Sequence, residues 1–364
     1  MKILHIDTRP DWRGGQQQIL LTMRGLRQRG HDAQLLTCSA SLLGERARAE
    51  NFAVHVFSSR HPRWDAFLSL REILHQQRFD VTHAHDPHAL TAAWLARAHR
   101  CGAFVVSRRV AYPLARGPFA LARYRAAHRI IAVSKFVADS VAASGISRAK
   151  IAVVYDGVEI PPAIASEQRR AARRRWNIAD STKLLGCVGY LLPEKGQESL
   201  IRAMTAVVAD FPDCKLLLVG DGPMRVRLQA LAHELALSHA IIFAGFLADI
   251  ELAYRALDIF VFPSLAEPLG SSLLTAMSYG LPAVAVVGGG VPEIIENGEN
   301  GSLVSAPDSG LLASAVCRLL HEPQTAGCLA AAARETVSRR FTADLLAENT
   351  LREYRLALAS ARDF

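Results

Sequence analysis

Short apolar runs alternate with longer amphipathic stretches along the whole chain. In the first half most of these runs are apolar on both faces, which is typical of strands buried in a parallel sheet. The predicted strands span residues 2–7, 33–37, 54–58, 81–85, 104–107, 130–133 and 151–155, and the predicted helices span residues 16–29, 64–77, 88–99 and 135–144. Gly30, Gly102 and Gly145 each follow a helical stretch, where a left-handed closing residue is expected. The alternation predicts an α/β fold with a doubly wound sheet.

The alternation breaks at Pro161-Pro162, continues as a polar, arginine-rich stretch and then resumes. The predicted strands of the second half span residues 184–188, 215–219, 241–244, 259–262 and 283–287. A last predicted helix, at residues 343–359, has no strand after it. We therefore predict two Rossmann-like domains, residues 1–160 and 161–342. Because ligands of such sheets bind at the carboxyl ends of the strands, we expect a site in a cleft between the domains.

Positive charge is concentrated in the first half of the chain. The net charge is +8, and residues 1–163 hold 23 Lys and Arg against 12 Asp and Glu. No acidic residue occurs between Asp86 and Asp139. This segment should attract an anion, whether substrate phosphates, an anionic membrane surface or nucleic acid. A solvated basic face without a specific partner would produce the same charge distribution.

The chain shows no feature of a secreted or membrane-spanning protein. Its longest apolar stretches fall far short of the roughly 18 residues needed to cross a bilayer, and the first residues lead directly into a strand instead of a signal peptide. The six cysteines are scattered without a Cys-x-x-Cys pair, which argues against a disulfide framework or a zinc site. We expect a soluble protein of the reducing cytoplasm.

The glycine-rich segments argue against common nucleotide chemistries. The Gly14-Gly15 pair after the first strand lacks the G-x-G-x-x-G spacing of dinucleotide-binding folds, and after Gly220-Asp221-Gly222-Pro223 the third glycine is replaced by Arg225. A nicotinamide enzyme is therefore poorly supported. Neither a G-x-x-x-x-G-K-[ST] pattern nor an Asp-x-Asp pair occurs, so we expect neither P-loop phosphoryl transfer nor metal-dependent catalysis.

The segment from residue 258 to residue 282 has the pattern of an anion site. A buried strand is followed by a loop and by a helix that opens near Ser271, a predicted N-cap, so that the amides of residues 270–273 suit a diphosphate. Glu267, just before this helix, would bind hydroxyls of a sugar attached to that diphosphate, or simply complement the helix dipole. Lys195, on a loop after the strand at 184–188, offers a cation for the same phosphates, although an isolated loop lysine is more often only solvated.

Five segments of the chain, in order, resemble the landmarks of family-4 glycosyltransferases of the GT-B fold. They are Gly14-Gly15 and residues 189–196 (GYLLPEKG), 220–223 (GDGP), 263–270 (PSLAEPLG) and 288–293 (GGGVPE). The resemblance covers essentially the whole chain. It implies an acceptor-binding N-terminal domain, to which a C-terminal helix at residues 343–364 crosses back, and a C-terminal domain that binds a nucleotide sugar. It also implies metal-independent transfer with retention of anomeric configuration.

The resemblance further implies roles for individual residues. Glu267 would hold the sugar hydroxyls and Lys195 would neutralise the diphosphate leaving group, which makes them the predicted catalytic pair. Phe246 lies on the loop that would hold the base. The other predicted donor-binding residues are Gly14, Gly15, Gly222, Pro223, Gly270, Ser271, Ser272 and Thr275. The predicted acceptor-binding residues are His85, Asp86, Arg108 and Arg109.

Three positions depart from the family's usual pattern. The family has a second glutamate, eight positions after the first, that binds the ribose hydroxyls, and Thr275 stands there. It also has an arginine where this chain has Tyr190. In the first domain it often has a histidine where this chain has Arg108-Arg109, and these permanent cations would stabilise the donor or grip an anionic acceptor without acting as a base.

Two other motifs have simple structural interpretations. His83, His85 and Asp86 are spaced to ligate a metal ion, but hydrogen-bonded histidines at a strand end are the preferred interpretation, and we predict no metal site. Five arginines within residues 169–175 suggest nucleic acid, yet no DNA- or RNA-reading motif accompanies them, so we predict no nucleic-acid partner.

The leading hypothesis is a glycosyltransferase that moves a hexose from a UDP- or GDP-type sugar to an anionic lipid or oligosaccharide of the cell envelope, of the lipopolysaccharide or polysaccharide type. It would need no cofactor besides this donor. The basic first half suggests peripheral contact with the inner face of the membrane, with Phe119, Tyr124 and nearby arginines as an interfacial anchor or, equally, as a core-facing helix with a basic outer face. The alternative, motivated by Tyr190 and Thr275, is a catalytically degenerate binding or scaffold protein.

Overall fold

A computed structural model describes residues 1–58, 60–115 and 117–362, which form two compact units. Unit 1 comprises Met1–Gly157 and Ala343–Phe364, and unit 2 comprises Val158–Thr342. Each unit contains one parallel β-sheet with helices packed on it, as the sequence predicts. Among the described residues, no helix combines the length and the apolar character that crossing a membrane requires.

Unit 1 has a seven-stranded sheet with the order β3-β2-β1-β4-β5-β6-β7. Its strands are β1 (Lys2–Asp7), β2 (Asp32–Cys38), β3 (Val54–Phe57), β4 (Val81–Ala84), β5 (Ala103–Arg108), β6 (Arg129–Ala132) and β7 (Ile151–Val153). Its first six helices are α1 (Gly14–Gln28), α2 (Leu42–Ala49), α3 (Pro62–Gln76), α4 (Pro87–Leu95), α5 (Pro118–Arg125) and α6 (Lys135–Ala143). The strand order reverses between β1 and β4.

Unit 2 has a six-stranded sheet with the order β10-β9-β8-β11-β12-β13. Its strands are β8 (Leu184–Val188), β9 (Lys215–Val219), β10 (Ile241–Gly245), β11 (Ile259–Phe262), β12 (Ala283–Val286) and β13 (Ser302–Val304). Its helices are α7 (Ser166–Arg174), α8 (Gln197–Asp210), α9 (Arg225–Glu234), α10 (Glu251–Ala256), α11 (Ser271–Ser278), α12 (Ser309–His321) and α13 (Pro323–Arg340). Here the strand order reverses between β8 and β11.

The last helix, α14 (Ala343–Arg362), follows unit 2 in the sequence but packs in unit 1, against α1, β5 and β6. It approaches α1 most closely at Gly25, where an added Cβ would lie 2.3 Å from the Cβ of Ala347. Glu353 accepts hydrogen bonds from the Arg129 guanidinium, and both side chains are largely buried. The crossing of the C-terminal helix to the first domain is thereby confirmed.

The described structure differs from the predicted elements in a few places. It contains α2 and β13, which the sequence does not predict because three to eight residues carry too little periodicity to be recognised, and α5, which the sequence offers only as one of two interpretations of the segment around Phe119 and Tyr124. Gly30 and Gly145 do close helices with positive φ, but Gly102 does not; Arg97, with φ of 56°, takes the left-handed position after α4. A Cβ on Gly102 would lie 2.7 Å from the Phe79 carbonyl oxygen, so close backbone packing is the reason for that glycine.

Candidate functional site

The candidate site of unit 2 lies at the carboxyl ends of β8 and β11, the two strands between which the order of the sheet reverses. In doubly wound folds ligands bind at such a reversal, because the loops after the two strands diverge to opposite faces and leave a crevice. The loop after β8 carries Lys195, and the loop after β11 carries Glu267. The topology therefore brings together the two residues that the sequence singles out as catalytic.

Lys195 and Glu267 form an ion pair, with Nζ 2.6 Å from Oε2. Their side chains are 26% and 12% exposed, so the pair is largely shielded but still reachable from solvent. The Ser264 hydroxyl donates a second hydrogen bond to the same carboxylate oxygen, at 2.9 Å. The carboxylate is thus fixed by two donors, while its other oxygen, Oε1, remains to accept a hydrogen bond from a ligand.

Glycines allow the loops around this pair to pack backbone to backbone. Gly196, with φ of 70°, is the residue after Lys195 and packs against Pro263. An added Cβ on Gly196 would lie 2.1 Å from the Pro263 carbonyl oxygen. Gly289, with φ of 55°, lies against Glu267 in the same manner, at 1.9 Å from its carbonyl oxygen. The amide of Gly290 donates to that carbonyl at 2.9 Å. The GGG segment therefore fixes the backbone that presents the Glu267 side chain.

The N-terminus of α11 opens at the same edge of the sheet. Ser271 is the first helical residue and not the N-cap; the cap position is taken by Gly270, whose φ of 122° is easily adopted only without a Cβ. The first amides of a helix have no intrahelical acceptor, so those of Ser271 and Ser272 remain available to an anion. Thr275, one turn further on, donates its hydroxyl to the Ser271 carbonyl at 2.9 Å.

The loops after β9 and β10 form the neighbouring part of this edge. The Gly220 amide donates to the Gly245 carbonyl at 2.9 Å, which holds the two loops together. Gly222 packs under Leu191, where an added Cβ would lie 2.5 Å from a carbonyl oxygen. Pro223 and Phe246, the other predicted donor-binding residues here, are exposed. An exposed aromatic ring at this edge provides a surface on which a base can stack.

In unit 1 the Gly14-Gly15 pair forms the first turn of α1, directly after β1. An added Cβ on Gly15 would meet nothing within 4 Å, so open space lies over this glycine. Gln16, the next residue, is buried and donates to the Asp7 carboxylate at 3.0 Å. The glycine pair therefore leaves a bare backbone at the carboxyl edge of β1, which is suited to close approach of a ligand.

Asp86 caps α4 and ties the β4 end to the β1 end. Its carboxylate accepts from the amides of His88 and Ala89, and from the amide and hydroxyl of Thr8 at 2.7 and 2.8 Å. It also faces the buried Asp7. Burial, together with repulsion from Asp86, raises the pKa of Asp7 to about 8. The folded protein therefore favours the protonated form of the Asp7 carboxyl.

Three histidines lie together on one face of the sheet in unit 1. His83 and His85, the predicted pair, are joined by His5 of β1, which pairs in register with His83 of β4. Each of the three histidines offers one ring nitrogen that could bind a metal, and these nitrogens lie within 4.8 Å of one another. His5 Nδ1 lies 2.9 Å from His85 Nε2, and His83 bonds through Nδ1 to the Tyr354 hydroxyl at 2.6 Å and through Nε2 to the Ser107 hydroxyl at 2.8 Å.

Burial keeps these histidines neutral, with the pKa of His5 lowered to about 3 and those of His83 and His85 well below the usual range. The hydrogen bonds give the cluster a structural role, since His83 holds α14 through Tyr354. Asp86, the third member of the predicted set, serves instead as the helix cap. His85 is buried, so of the two predicted acceptor-binding residues at this strand end only Asp86 is partly exposed.

Arg108 and Arg109 are both occupied within unit 1. Arg108 is buried and donates to the Tyr112 carbonyl at 2.5 Å and to the Tyr124 hydroxyl at 3.3 Å. Arg109 forms an ion pair with Asp156, and burial lowers the pKa of the Arg109 guanidinium to about 10. An anionic acceptor would have to compete with these partners for either guanidinium.

The structure contradicts one sequence-based interpretation and explains part of the arginine-rich stretch. Tyr124 is not an interfacial anchor, because it is buried beneath Arg108. In the arginine-rich helix α7, Arg169 and Arg173 bind Asp258 and the carbonyls of Leu257 and Ala256, so part of this charge fastens the helix to the end of α10.

The sequence analysis does not predict Ser264 and His5 as site residues. Nothing in their local sequence marks them, and they become relevant only because Ser264 contacts Glu267 and His5 pairs with His83.

Two family models match the chain, one on each side of the boundary between the units. "Glycosyltransferase Family 4" matches residues 12–160, and "Glycosyl transferases group 1" matches residues 168–336. An uncharacterized glycosyltransferase of Methanocaldococcus jannaschii is 28% identical over 92% of this chain and 92% of its own length. A GDP-mannose-dependent monoacylated alpha-(1-6)-phosphatidylinositol monomannoside mannosyltransferase of Corynebacterium glutamicum is 32% identical over 50% of this chain and 49% of its own.

A solved structure with the same fold is that of Anabaena HepE in complex with UDP and glucose. It has a TM-score of 0.86 and 22% identity, and the match covers 97% of this chain and 98% of HepE. This likeness confirms the two Rossmann-like domains that the sequence predicts.

Proposed function

Because the chain is a glycosyltransferase of the family-4 type with the GT-B fold, we propose that it moves a hexose from a UDP- or GDP-sugar to an anionic lipid or oligosaccharide of the cell envelope. We include in this proposal retention of anomeric configuration and independence of metal ions, which the resemblance implies. The observation that carries it is the Lys195–Glu267 pair at the strand reversal of unit 2, next to the open N-terminus of α11.

The donor end of the reaction follows from charge. When the bond between the sugar and the diphosphate breaks, negative charge builds on the departing phosphate oxygens. An ammonium group has three hydrogens, so Lys195 can keep its bond to Glu267 and still donate to a phosphate. The amides of Ser271 and Ser272 and the dipole of α11 supply further positive potential. Glu267, through Oε1, can accept from a sugar hydroxyl and thereby hold the hexose next to the leaving group.

The acceptor is proposed from charge and from one relative. The basic segment of unit 1 between Asp86 and Asp139 favours an anionic acceptor. The Corynebacterium relative is named for transfer to a phosphatidylinositol monomannoside, a glycolipid that carries a phosphate. We therefore propose an acceptor of this chemical class, of lipopolysaccharide or polysaccharide type, reached from the inner face of the membrane.

The test is a donor screen on the purified protein. We expect calorimetry to detect binding of one or more of UDP-glucose, UDP-galactose, UDP-N-acetylglucosamine and GDP-mannose, and a coupled assay to detect release of the diphosphate. Glu267→Ala should lower turnover about a hundredfold or more, whereas Glu194→Gln, an exposed glutamate on the loop of Lys195, should leave it within about twofold.

Two outcomes would contradict the proposal. A chain that neither binds nor turns over any donor of the panel would fit the scaffold alternative instead. A Glu267→Ala variant with unchanged turnover would show that the site lies elsewhere. The stereochemistry is read independently, from the anomeric configuration of the product by NMR.

A further inference from the structure

A buried hydroxyl lies directly beside the Lys195–Glu267 pair. Ser264 is on the loop after β11, three residues before Glu267, and is 1% exposed. Its hydroxyl donates to Glu267 Oε2 at 2.9 Å, and the Lys195 ammonium bonds the same oxygen. Because the side chain is shielded from solvent, bulk water does not compete for this hydrogen bond. Ser264 is therefore placed to fix the direction of the carboxylate.

The backbone on both sides of Ser264 is fixed against the loop that follows β8. The Leu265 amide donates to the Glu194 carbonyl at 2.9 Å. On the other side, Pro263 packs so tightly on Gly196 that an added Cβ on this glycine would lie 2.1 Å from the Pro263 carbonyl oxygen. Ser264 is held between these two anchored neighbours, so the packing of the loops determines where its hydroxyl points.

The Ser264 hydroxyl carries one hydrogen and has two oxygens within reach. The Glu194 carbonyl oxygen is 3.4 Å away and already accepts from the Leu265 amide. The Glu267 carboxylate oxygen is nearer, at 2.9 Å, and its negative charge makes it the stronger acceptor. The single hydrogen of Ser264 therefore goes to Glu267.

Lys195 and Ser264 hold the same oxygen but respond differently to sugar transfer. As the bond between sugar and diphosphate breaks, the growing negative charge draws the Lys195 ammonium toward the leaving group and weakens its hold on Glu267. Ser264 is neutral and anchored, so its hydrogen bond to Oε2 persists. With Oε2 still held, Oε1 keeps its direction toward a sugar hydroxyl.

We propose that Ser264 is a positioning residue for sugar transfer. Through its hydrogen bond to Oε2 it keeps Glu267 directed at the donor sugar while the diphosphate departs. The inference deepens the proposed function, on which it rests for its role in the reaction. A hydroxyl with only a structural role would matter equally whether or not Glu267 is present.

The first test separates turnover from donor binding. Ser264→Ala should lower kcat about tenfold or more, because a hydrogen bond to a charged group is lost. The Kd of UDP or GDP, whichever the protein binds, should stay within about twofold in calorimetry, since Lys195 and the first amides of α11 still hold the diphosphate. Ser264→Thr keeps a hydroxyl and should restore most of kcat. A loss of nucleotide affinity as large as the loss of kcat would indicate a collapsed site and overturn the proposal.

The second test asks whether the effect passes through Glu267. In the Glu267→Ala background, Ser264→Ala should change kcat by less than about twofold, because no carboxylate remains to be positioned. An equal loss in both backgrounds would assign Ser264 a structural role and contradict the proposal. If Ser264→Ala does not fold, as judged by circular dichroism, Ser264→Cys takes its place, since a thiol is a much weaker donor.

The matched control is Ser278→Ala in α11. Ser278 is fully buried and donates its hydroxyl to the Thr275 carbonyl at 2.8 Å. The control loses the same kind of buried hydrogen bond and should keep kcat within about twofold. A loss of kcat as large as that of Ser264→Ala would show that buried hydroxyls of unit 2 act through stability alone, against the proposal.

A crystal structure of Ser264→Ala tests the positioning without any turnover. We expect the Glu267 carboxylate to leave its direction or to occupy more than one, whereas it stays fixed in Ser278→Ala. If the unchanged protein turned over no donor but this shift were seen, only the proposed function would be contradicted. If Ser264→Ala kept its kcat, or if its Glu267 kept the same direction, the inference would be refuted while the proposed function would stand.

Discussion

Lys195 and Glu267 stand 72 positions apart in the sequence, yet their side chains meet with Nζ 2.6 Å from Oε2 where the strand order of the second sheet reverses. The pair links a group that can bind a phosphate to a group that can bind a sugar hydroxyl. It is held by the neighbouring Ser264 and by the glycine-rich loops that pack against both residues. The geometry implies that the two side chains act as a unit.

The first prediction concerns this coupling. Lys195→Ala and Glu267→Ala should each lower kcat/KM about a hundredfold or more, because each leaves the other charge without its partner and removes one donor contact. The double variant should lose much less than the product of the two single effects, since the second substitution then breaks an arrangement that is already lost. Steady-state kinetics with the best donor of the screen measure all three variants. Multiplicative losses would show that the residues act independently.

A second prediction uses the open space over Gly15. Gly15→Ala should not perturb the fold, since its Cβ meets nothing within 4 Å, and alanine in a helix should raise the free energy of unfolding by up to about 1 kcal/mol. Turnover should nevertheless fall about tenfold, because the methyl group takes space that the resemblance assigns to the donor.

The control is Gly327→Ala in α13, which also adds a methyl group to an open helical position. It should stabilise the protein similarly without changing turnover. Thermal unfolding and kinetics on both variants give the comparison, and a Gly15→Ala variant that is as active as Gly327→Ala would refute the role of this glycine.

The architecture can be predicted because it depends on local patterns of apolar and polar residues. Buried parallel strands are apolar on both faces, and the predicted strands at residues 215–219 and 259–262 have the bounds that the structure shows. The segments of Lys195 and Glu267 can be recognised because each directly follows such a strand. The position of a ligand-binding loop at a strand end depends only on the order of elements along the chain.

Contacts between distant strands cannot be predicted in this way. His5 joins His83 because β1 and β4 pair in a register that brings these positions side by side, and nothing local marks His5 as polar core. Likewise, α3 and α5 both mix aromatic residues with arginines, so the sequence alone does not tell that Tyr124 is buried while Trp64 is exposed. Such assignments depend on which face of a helix meets the sheet.

A third prediction concerns Thr275, where the resemblance implies a ribose-binding glutamate. The Thr275 hydroxyl donates to the Ser271 carbonyl, so Thr275→Val should change donor affinity by less than about twofold. Thr275→Glu should strengthen donor binding about tenfold, because a carboxylate can accept from both ribose hydroxyls. Calorimetry with UDP or GDP, whichever the protein binds, measures both variants. Weaker binding by Thr275→Glu would mean that the ribose lies away from α11.

A fourth prediction concerns metal ions. If Lys195 and the first amides of α11 neutralise the leaving diphosphate, turnover should change by less than about twofold when EDTA is added or when Mg²⁺ or Mn²⁺ is supplied. The control is Lys195→Ala, which lacks the positive charge of the ammonium group. An added divalent cation can supply positive charge to the diphosphate in this variant and should restore part of the activity. Loss of turnover in EDTA, restored by one specific cation, would contradict metal-independent transfer.

The last prediction concerns the pH dependence of stability, through Asp7. Asp7 is 1% exposed and its carboxylate faces Asp86, and these surroundings raise its pKa from 3.8 to about 8. Between these two values the folded protein keeps a proton that the unfolded chain releases. The stabilisation from this proton is complete below the unfolded pKa and is lost as the pH rises through the folded pKa.

Asp7→Asn cannot ionise and still accepts from Gln16, so its Tm relative to the unchanged protein should rise from about pH 5 to about pH 8, by roughly 4 °C or more. Asp213→Asn, at an exposed position, should show no such trend in thermal unfolding across the same range. A constant difference between Asp7→Asn and the unchanged protein would mean that Asp7 is already ionised at about pH 5 in the folded protein, and that burial beside Asp86 does not raise its pKa.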